Sequence, residues 1–297
     1  MAQISANGID IEYELDGPED GPVLLMIHGV GAQLIRWSPS LCAALADAGF
    51  RTLRFDNRDI GLSSHMDGAP VPDLGEVTRA KAAGEAPDVP YTLADMADDA
   101  AGLLDALGIG RAHVLGVSLG GMIAQQLAIA HPGKVASLAL VMTQSGNPAL
   151  PPSNPEALAI LAKRAPDPFT AREAYLDHQV ALNRTLGGPA YPVPEADLRA
   201  YAARAADRAW NPMGAGRHLA ASRVASDRTP ALRELTVPAL VIHGADDPLI
   251  LAECGDDLAR TIPNAWLLKP GGMGHDLPVA LTELFAATIK ANANRAN

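Results

Sequence analysis

Between Ile4 and Tyr13 apolar side chains alternate with polar ones, and the alternation breaks at Asn7-Gly8, which predicts a β-hairpin. A turn cluster from Gly17 to Pro22 separates the hairpin from Val23-Leu24-Leu25-Met26-Ile27. That run is apolar without alternation, as expected of a parallel strand covered on both faces. Further strands are expected at 50–55, 113–117, 135–142, 237–242 and 265–268. Helical spacing predicts helices at 38–49, from Thr92 to near Gly108, from Leu119 to about His131, and at 279–293. Thr92 and Asp95 stand in capping-box positions for the second of these. Residues 64–90 are rich in Gly, Pro, Ala and Asp, show no period, and read as one long loop.

The strand rhythm stops at Gln144. From there to about Asp227 only helical patterns occur, at 154–164, 169–184, 195–209 and 214–225. Alternating strands and helices predict an α/β fold, with a mostly parallel eight-stranded sheet and helices on both faces. The expected division is a core of 1–143 and 228–297 with an all-helical cap of 144–227 over the sheet's carboxyl edge, where open α/β sheets bind ligands.

Composition narrows the function. The 297 residues carry a formal net charge of −11 and no basic cluster, which argues against nucleic acid and anionic membrane as partners. No apolar run nears the ~20 residues that cross a bilayer. The first residues lack the basic and apolar regions of a signal peptide. Cys42 and Cys254 form neither a disulfide framework nor a metal-ligand spacing, so a cytoplasmic location and no metal are expected.

The chemistry centres on Gly116-Val117-Ser118-Leu119-Gly120. A buried strand passes directly into a helix there, which requires a tight bend with small flanking residues and pushes the Ser118 hydroxyl out above the sheet edge. Two later segments follow strands and carry matching groups, His243-Gly-Ala-Asp246-Asp247 and Gly271-Gly-Met-Gly-His275. A serine hydroxyl needs a base as it attacks. Histidine titrates near neutrality and can take that proton and return it, and a carboxylate on the far ring nitrogen fixes the tautomer. His275 is the expected base. Asp246 and Asp247 are both candidates for the acid, and Asp247 is favoured because the first carboxylate after a strand turn is expected to cap it or face solvent. Asp276 is expected to be a surface charge. The oxyanion of a tetrahedral intermediate needs backbone N–H donors, expected at Leu119 and at Val30 in the His28-Gly29-Val30-Gly31 loop. His28 itself is expected to anchor that loop.

With these motifs in place, the chain resembles the α/β-hydrolase superfamily over nearly its whole length. The matches are His28 to Gly31, Asp56-x-Arg58-Asp59-x-Gly61-x-Ser63, the Ser118 elbow, Gly244-x-x-Asp247 and Gly274-His275. The resemblance implies the order Ser118, Asp247, His275 for the catalytic residues and supports Asp247 as the acid. Asp59 stands where most members carry glycine. In that, and in its Gly-Met-Gly-His-x-Leu-Pro ending at Pro278, the chain is similar to aclacinomycin methylesterase-like hydrolases, which implies a carboxylic ester substrate. Haloalkane dehalogenases and epoxide hydrolases share the layout but use aspartate at the elbow, which Ser118 argues against.

The reading is therefore a serine carboxylesterase that takes a small-molecule ester and needs no cofactor. The alternatives are a C–C bond hydrolase or lactonase on the same residues, and a non-catalytic ligand receptor. Trp37, Met142, Tyr175 and Trp210 are the leading candidates for substrate contacts, with Tyr191, Tyr201 and Met213 behind them. His178 and His218 lie on expected cap helices. Asp56 and Arg58 are expected to hold loops in place through Arg–carboxylate pairing.

Overall fold

A computed structural model describes residues 1–296. The hairpin forms as β1 (Ala2–Ala6) and β2 (Ile9–Asp16), followed by β3 (Val23–Ile27), α1 (Pro39–Asp47) and β4 (Arg51–Phe55). Next come α2 (Leu74–Ala82), α3 (Leu93–Ala106), β5 (Ala112–Val117), α4 (Leu119–Ala130) and β6 (Val135–Val141). Helices alone follow: α5 (Pro155–Ala162), α6 (Arg172–Leu186), α7 (Glu195–Arg208), α8 (Gly214–Val224) and the short α9 (Thr229–Leu232). The chain then returns to the sheet with β7 (Ala239–Ile242), α10 (Ala252–Thr261), β8 (Trp266–Leu268) and α11 (Thr282–Ala293).

The sheet has eight strands in the order β1-β2-β4-β3-β5-β6-β7-β8. The pairs β1/β2 and β2/β4 are antiparallel, and every pair from β4/β3 to β7/β8 is parallel. β5 and β6 are buried at every position. Their alternate residues serve opposite faces. Val114, Leu138 and Leu140 pack with α3 and α4, while Leu115, Val117, Ala139 and Val141 pack with α1 and α11. That two-sided burial explains why these strands read as unbroken apolar runs.

The strand order reverses at β3, which lies between β4 and β5. The chain runs from β3 to β4 on one side and then from β4 across to β5 on the other, which opens a crevice at the carboxyl ends. Ile27 pairs with Gly116, so the loop after β3 and the turn after β5 leave the sheet side by side.

One expectation is corrected. The stretch 64–90 is not one long loop, since α2 spans nine of its residues with Asp73 accepting from Glu76 N–H at its start. Only Val77 of α2 is buried, so the helix has no apolar stripe to announce it. Among the described residues no helix is long and apolar enough to cross a membrane.

Candidate active site

Ser118 is the bend itself, with φ 55° and ψ −119°. A non-glycine residue in such a conformation stores on the order of 1–3 kcal/mol, so its surroundings must hold it. Its N–H donates to Val141 O at 2.9 Å, and its carbonyl accepts from Thr143 Oγ1 at 2.8 Å. A side chain at Gly120 would collide with the carbonyl of Ile27, and one at Gly116 with that of Gly120. The small residues are needed because helix α4 leaves the sheet almost touching two strands.

Three loops meet at the hydroxyl. His275 Nε2 lies 3.0 Å from Ser118 Oγ, and His275 Nδ1 lies 2.8 Å from Asp247 Oδ2. The Asp247 carboxylate sets the tautomer: Nδ1–H donates to it, which leaves the Nε2 lone pair facing the serine hydroxyl. Asp247 is buried, and its Oδ1 accepts from Leu249 N–H and Ile250 N–H, each at 2.9 Å. Behind it, buried His243 donates from Nε2 to Ile250 O at 2.7 Å, closing the turn that aims the carboxylate. The backbone N–H of His275 donates to Leu186 O at 2.7 Å, so the end of α6 supports the histidine loop.

The neighbouring carboxylates have separate tasks. Asp246 Oδ2 accepts from Gly272 N–H at 2.7 Å and so ties the acid loop to the histidine loop, a cap rather than a ligand of the imidazole. Asp276 is not the surface charge expected from sequence. It is half-buried, its Oδ1 accepts from Gly274 N–H at 3.1 Å, and burial pushes its carboxyl above the usual range.

The loop after β3 lies against the serine. A Cβ at Gly29 would sit 3.0 Å from Ser118 Cβ. Among the described residues, neither Val30 N–H nor Leu119 N–H is engaged by a protein acceptor. Leu119 opens α4, where first-turn N–H groups have no intrahelical partner. His28 anchors the loop as expected: its Nδ1 accepts from Gly29 N–H at 2.7 Å and its carbonyl accepts from Asn57 Nδ2 at 3.1 Å. Burial, with the charges of Arg36 and His275, lowers the His28 ring to about 3, so it is neutral.

Helices α7 and α8 fasten this loop and the loop after β4 with polar groups. His218 on α8 is fully buried, donating from Nε2 to Arg58 O at 2.9 Å while Nδ1 accepts from Gly31 N–H at 3.4 Å. Arg208 at the end of α7 donates to Asp56 Oδ2 at 2.7 Å. Arg58 pairs instead with Asp99 of α3, through two contacts of 2.6 Å. Asp59, at φ 70°, takes both ends of the Arg217 guanidinium at 2.7 and 2.8 Å, and neither side chain reaches solvent. Sequence reasoning missed the Asp59–Arg217 and His218–Gly31 ties. The available signal was Arg217-His218 set among small residues on α8, Gly214 to Ala221.

The aromatic candidates lie in packing positions. Trp37 and Met142 are 1% and 3% exposed within the core beside α1 and α11. Tyr175 is 4% exposed in a small cluster between α6 and α7, edge-on to half-buried Trp210 at 5.3 Å. His178 is buried beside that cluster's helix, with Nδ1 lacking a protein acceptor or donor. Among the described residues no group of three or more His, Cys, Asp or Glu is placed to hold a metal ion.

Comparison with known proteins places this geometry. Residues 22–279 match the family model described as the alpha/beta hydrolase fold. The chain belongs to the α/β hydrolase fold family. Among the relatives of this hydrolase is a Variovorax paradoxus (strain S110) protein named "Putative carbamate hydrolase RutD", 31% identical over 91% of each chain. Rhodomycin D methylesterase DauP of Streptomyces sp. (strain C5) is 28% identical over 94% of this chain and 93% of its own. The solved structure of a meta-cleavage product hydrolase from Pseudomonas fluorescens IP01 superposes with a TM-score of 0.76 at 19% identity, covering 100% of this chain and 98% of that one. At that identity the likeness carries the hydrolase fold alone.

Proposed function

We propose that the protein is a serine carboxylic ester hydrolase working through an acyl-serine intermediate. The observation that carries the reading is the hydrogen-bonded line from Ser118 Oγ through the His275 ring to Asp247, 3.0 and 2.8 Å. Ser118 Oγ attacks the ester carbonyl as His275 Nε2 takes its proton. Asp247 holds the imidazolium that forms, and the N–H groups of Val30 and Leu119 receive the oxyanion. His275 then protonates the leaving alcohol, and a water, deprotonated by the same nitrogen, releases the acid. The chemistry needs no cofactor. The 28% identity to a methylesterase supports an ester as substrate, and the 31% identity to the RutD relative supports a carbamate as a second one on the same route. In this reading residues 144–227 act as a helical cap over the sheet's carboxyl edge. The free thiols of Cys42 and Cys254 fit a cytoplasmic setting.

The test is hydrolysis of p-nitrophenyl esters from acetate to decanoate, together with labelling by a fluorophosphonate, for wild type and Ser118→Ala. Turnover and labelling in the wild type, both lost in the variant, are expected. Labelling that persists in Ser118→Ala would sink the acyl-serine route.

A further inference from the structure

Beside the loop that meets Ser118 stand two N–H donors with no acceptor among the described residues and a guanidinium with no carboxylate partner among them. The first is His28. Its Nδ1 is occupied as an acceptor by Gly29 N–H, and the ring is neutral, so its one proton sits on Nε2. No side chain or carbonyl of the described residues accepts that proton. The second is Arg36. Its guanidinium donates to Asn183 Oδ1 at 2.6 Å and stacks 4.5 Å from the centroid of Tyr201, and among the described residues no carboxylate pairs with it. The third is Trp37, which is 1% exposed, stands edge to face with the His28 ring at 4.7 Å, and has its Nε1–H buried with no acceptor.

These donors surround the reacting groups. His28 opens the loop whose Gly29 lies against Ser118. The charges of both Arg36 and His275 act on the His28 ring. Arg36 is held by Asn183, one helical turn before Leu186, whose carbonyl carries the His275 backbone N–H. The cation therefore lies between the oxyanion loop and the support of the catalytic histidine. Three other arginines near the site, Arg58, Arg208 and Arg217, are each paired with a carboxylate, whereas buried Arg228, farther along the chain, is held by Gln125 Oε1 and by the Gln144 and Ser226 carbonyls. Arg36 lacks a carboxylate partner among the described residues, and its neighbours His28 and Asn183 lead to the loops that meet Ser118 and His275. A guanidinium with a neutral N–H donor beside it suits a carboxylate, which accepts on both oxygens.

We propose that His28, Arg36 and Trp37 form a carboxylate-binding subsite beside Ser118, and that the ester this site takes carries a carboxylate on its acyl part. The acyl part is assigned because the leaving group must face His275 Nε2, whereas His28 begins the loop that holds the acyl carbonyl. The proposal rests on the serine esterase reading.

The test compares monomethyl glutarate with methyl hexanoate, followed by methanol release, in wild type, Arg36→Gln and Arg36→Lys. The readout is the ratio of kcat/KM for the acid ester to that for the neutral one. Whatever a variant loses by disturbing Asn183 and Tyr201 affects both esters and cancels in the ratio. The wild type should prefer the acid ester by roughly tenfold or more, as expected for a charge-assisted hydrogen bond. Arg36→Gln should abolish the preference, Arg36→Lys should keep part of it, and added salt should weaken it. A wild type that favours methyl hexanoate, or a ratio unchanged by Arg36→Gln, overturns the subsite. So does failure on both methyl esters by an enzyme whose Ser118 still labels with fluorophosphonate. Absence of labelling overturns the serine reading instead.

Discussion

Replacing Arg217 by methionine tests how helix α8 is fixed to the site. The guanidinium makes two contacts with Asp59, 2.7 and 2.8 Å, with both side chains out of reach of water, and a third with Ala69 O at 3.0 Å. Burial pushes the Asp59 carboxyl up, but the hydrogen bonds from Arg217 and from Met66 N–H outweigh it and hold the group below the usual range, so it is charged. Removing one partner of such a pair leaves a buried charge uncompensated, at a cost of about 3–5 kcal/mol. Asp59→Gly alone strands the arginine in the same way, although glycine relieves the φ of 70° by about 1–2 kcal/mol. The double variant Asp59→Gly/Arg217→Met removes both charges and that strain, so it should lie within about 2 kcal/mol of wild type and be more stable than Arg217→Met. Urea unfolding of the four proteins gives the coupling energy directly. Additivity within about 0.5 kcal/mol, or a single-variant loss below about 1 kcal/mol, would refute the argument that this pair is a buried, mutually dependent lock.

Other outcomes follow from the same geometry. Asp247→Asn should lower kcat by about 10⁴, because the amide cannot fix the productive tautomer of His275. Asp246→Asn retains an acceptor for Gly272 N–H and should cost less than about tenfold; equal losses would undo the assignment of the acid. Burial lowers His218 to about 4 from an ordinary value of 6.5, so its ring protonates more readily unfolded than folded. Its contribution is therefore complete above about pH 6.5 and lost as pH falls toward 4, about 3 kcal/mol in all. In His218→Asn the pH dependence of the urea midpoint over that window should flatten, and an unchanged slope would sink the assignment. Gly29→Ala places a methyl 3.0 Å from Ser118 Cβ and should reduce kcat, with the melting temperature nearly retained; full activity would mean that the loop yields without moving its N–H groups.

Much of the site was legible because its geometry depends on apolar strands and obligatory glycines. Once β5 and α4 are read from their patterns, Ser118 can stand only at the bend, and the strands before Asp247 and His275 deliver them to the same sheet edge. Asp247 could be favoured over Asp246 from the turn and the resemblance, and the coordinates add what each does: Asp247 faces the His275 ring while Asp246 accepts from Gly272 N–H. Aromatic residues gave a weaker signal. Tyr175 is large enough to fill either a pocket or a core, and its burial against Trp210 is packing that composition could not show. The polar ties were the least legible part. Asp59 and Arg217 lie 158 residues apart, and no local period links a charge in a β-strand loop to one on a distant helix.

Those ties change what the inserted helices can be. Their own buried cluster is small, comprising Tyr175, Leu176, Ala202 and Ala206. That cluster by itself gives the helices little apolar packing against one another. Directional bonds tie them to the core. Leu186 O holds His275 N–H, Arg208 holds Asp56, Arg217 holds Asp59, and His218 holds Gly31 N–H. Two of these contacts end on the His275 loop and the loop after β3, and two on the loop after β4, whose Asp56 accepts from Leu34 N–H. The core is consequently incomplete without the insertion. Deleting 144–227 would leave the carboxylates of Asp56 and Asp59, both 0% exposed, without their cations, and unpaired buried charge is costly. A truncated chain should therefore lose the geometry around Ser118 together with its substrate selectivity. An insertion that acted only as a lid would allow the two losses to be separated, whereas bonds to the His275 loop, the loop after β3 and the loop after β4 make them one event.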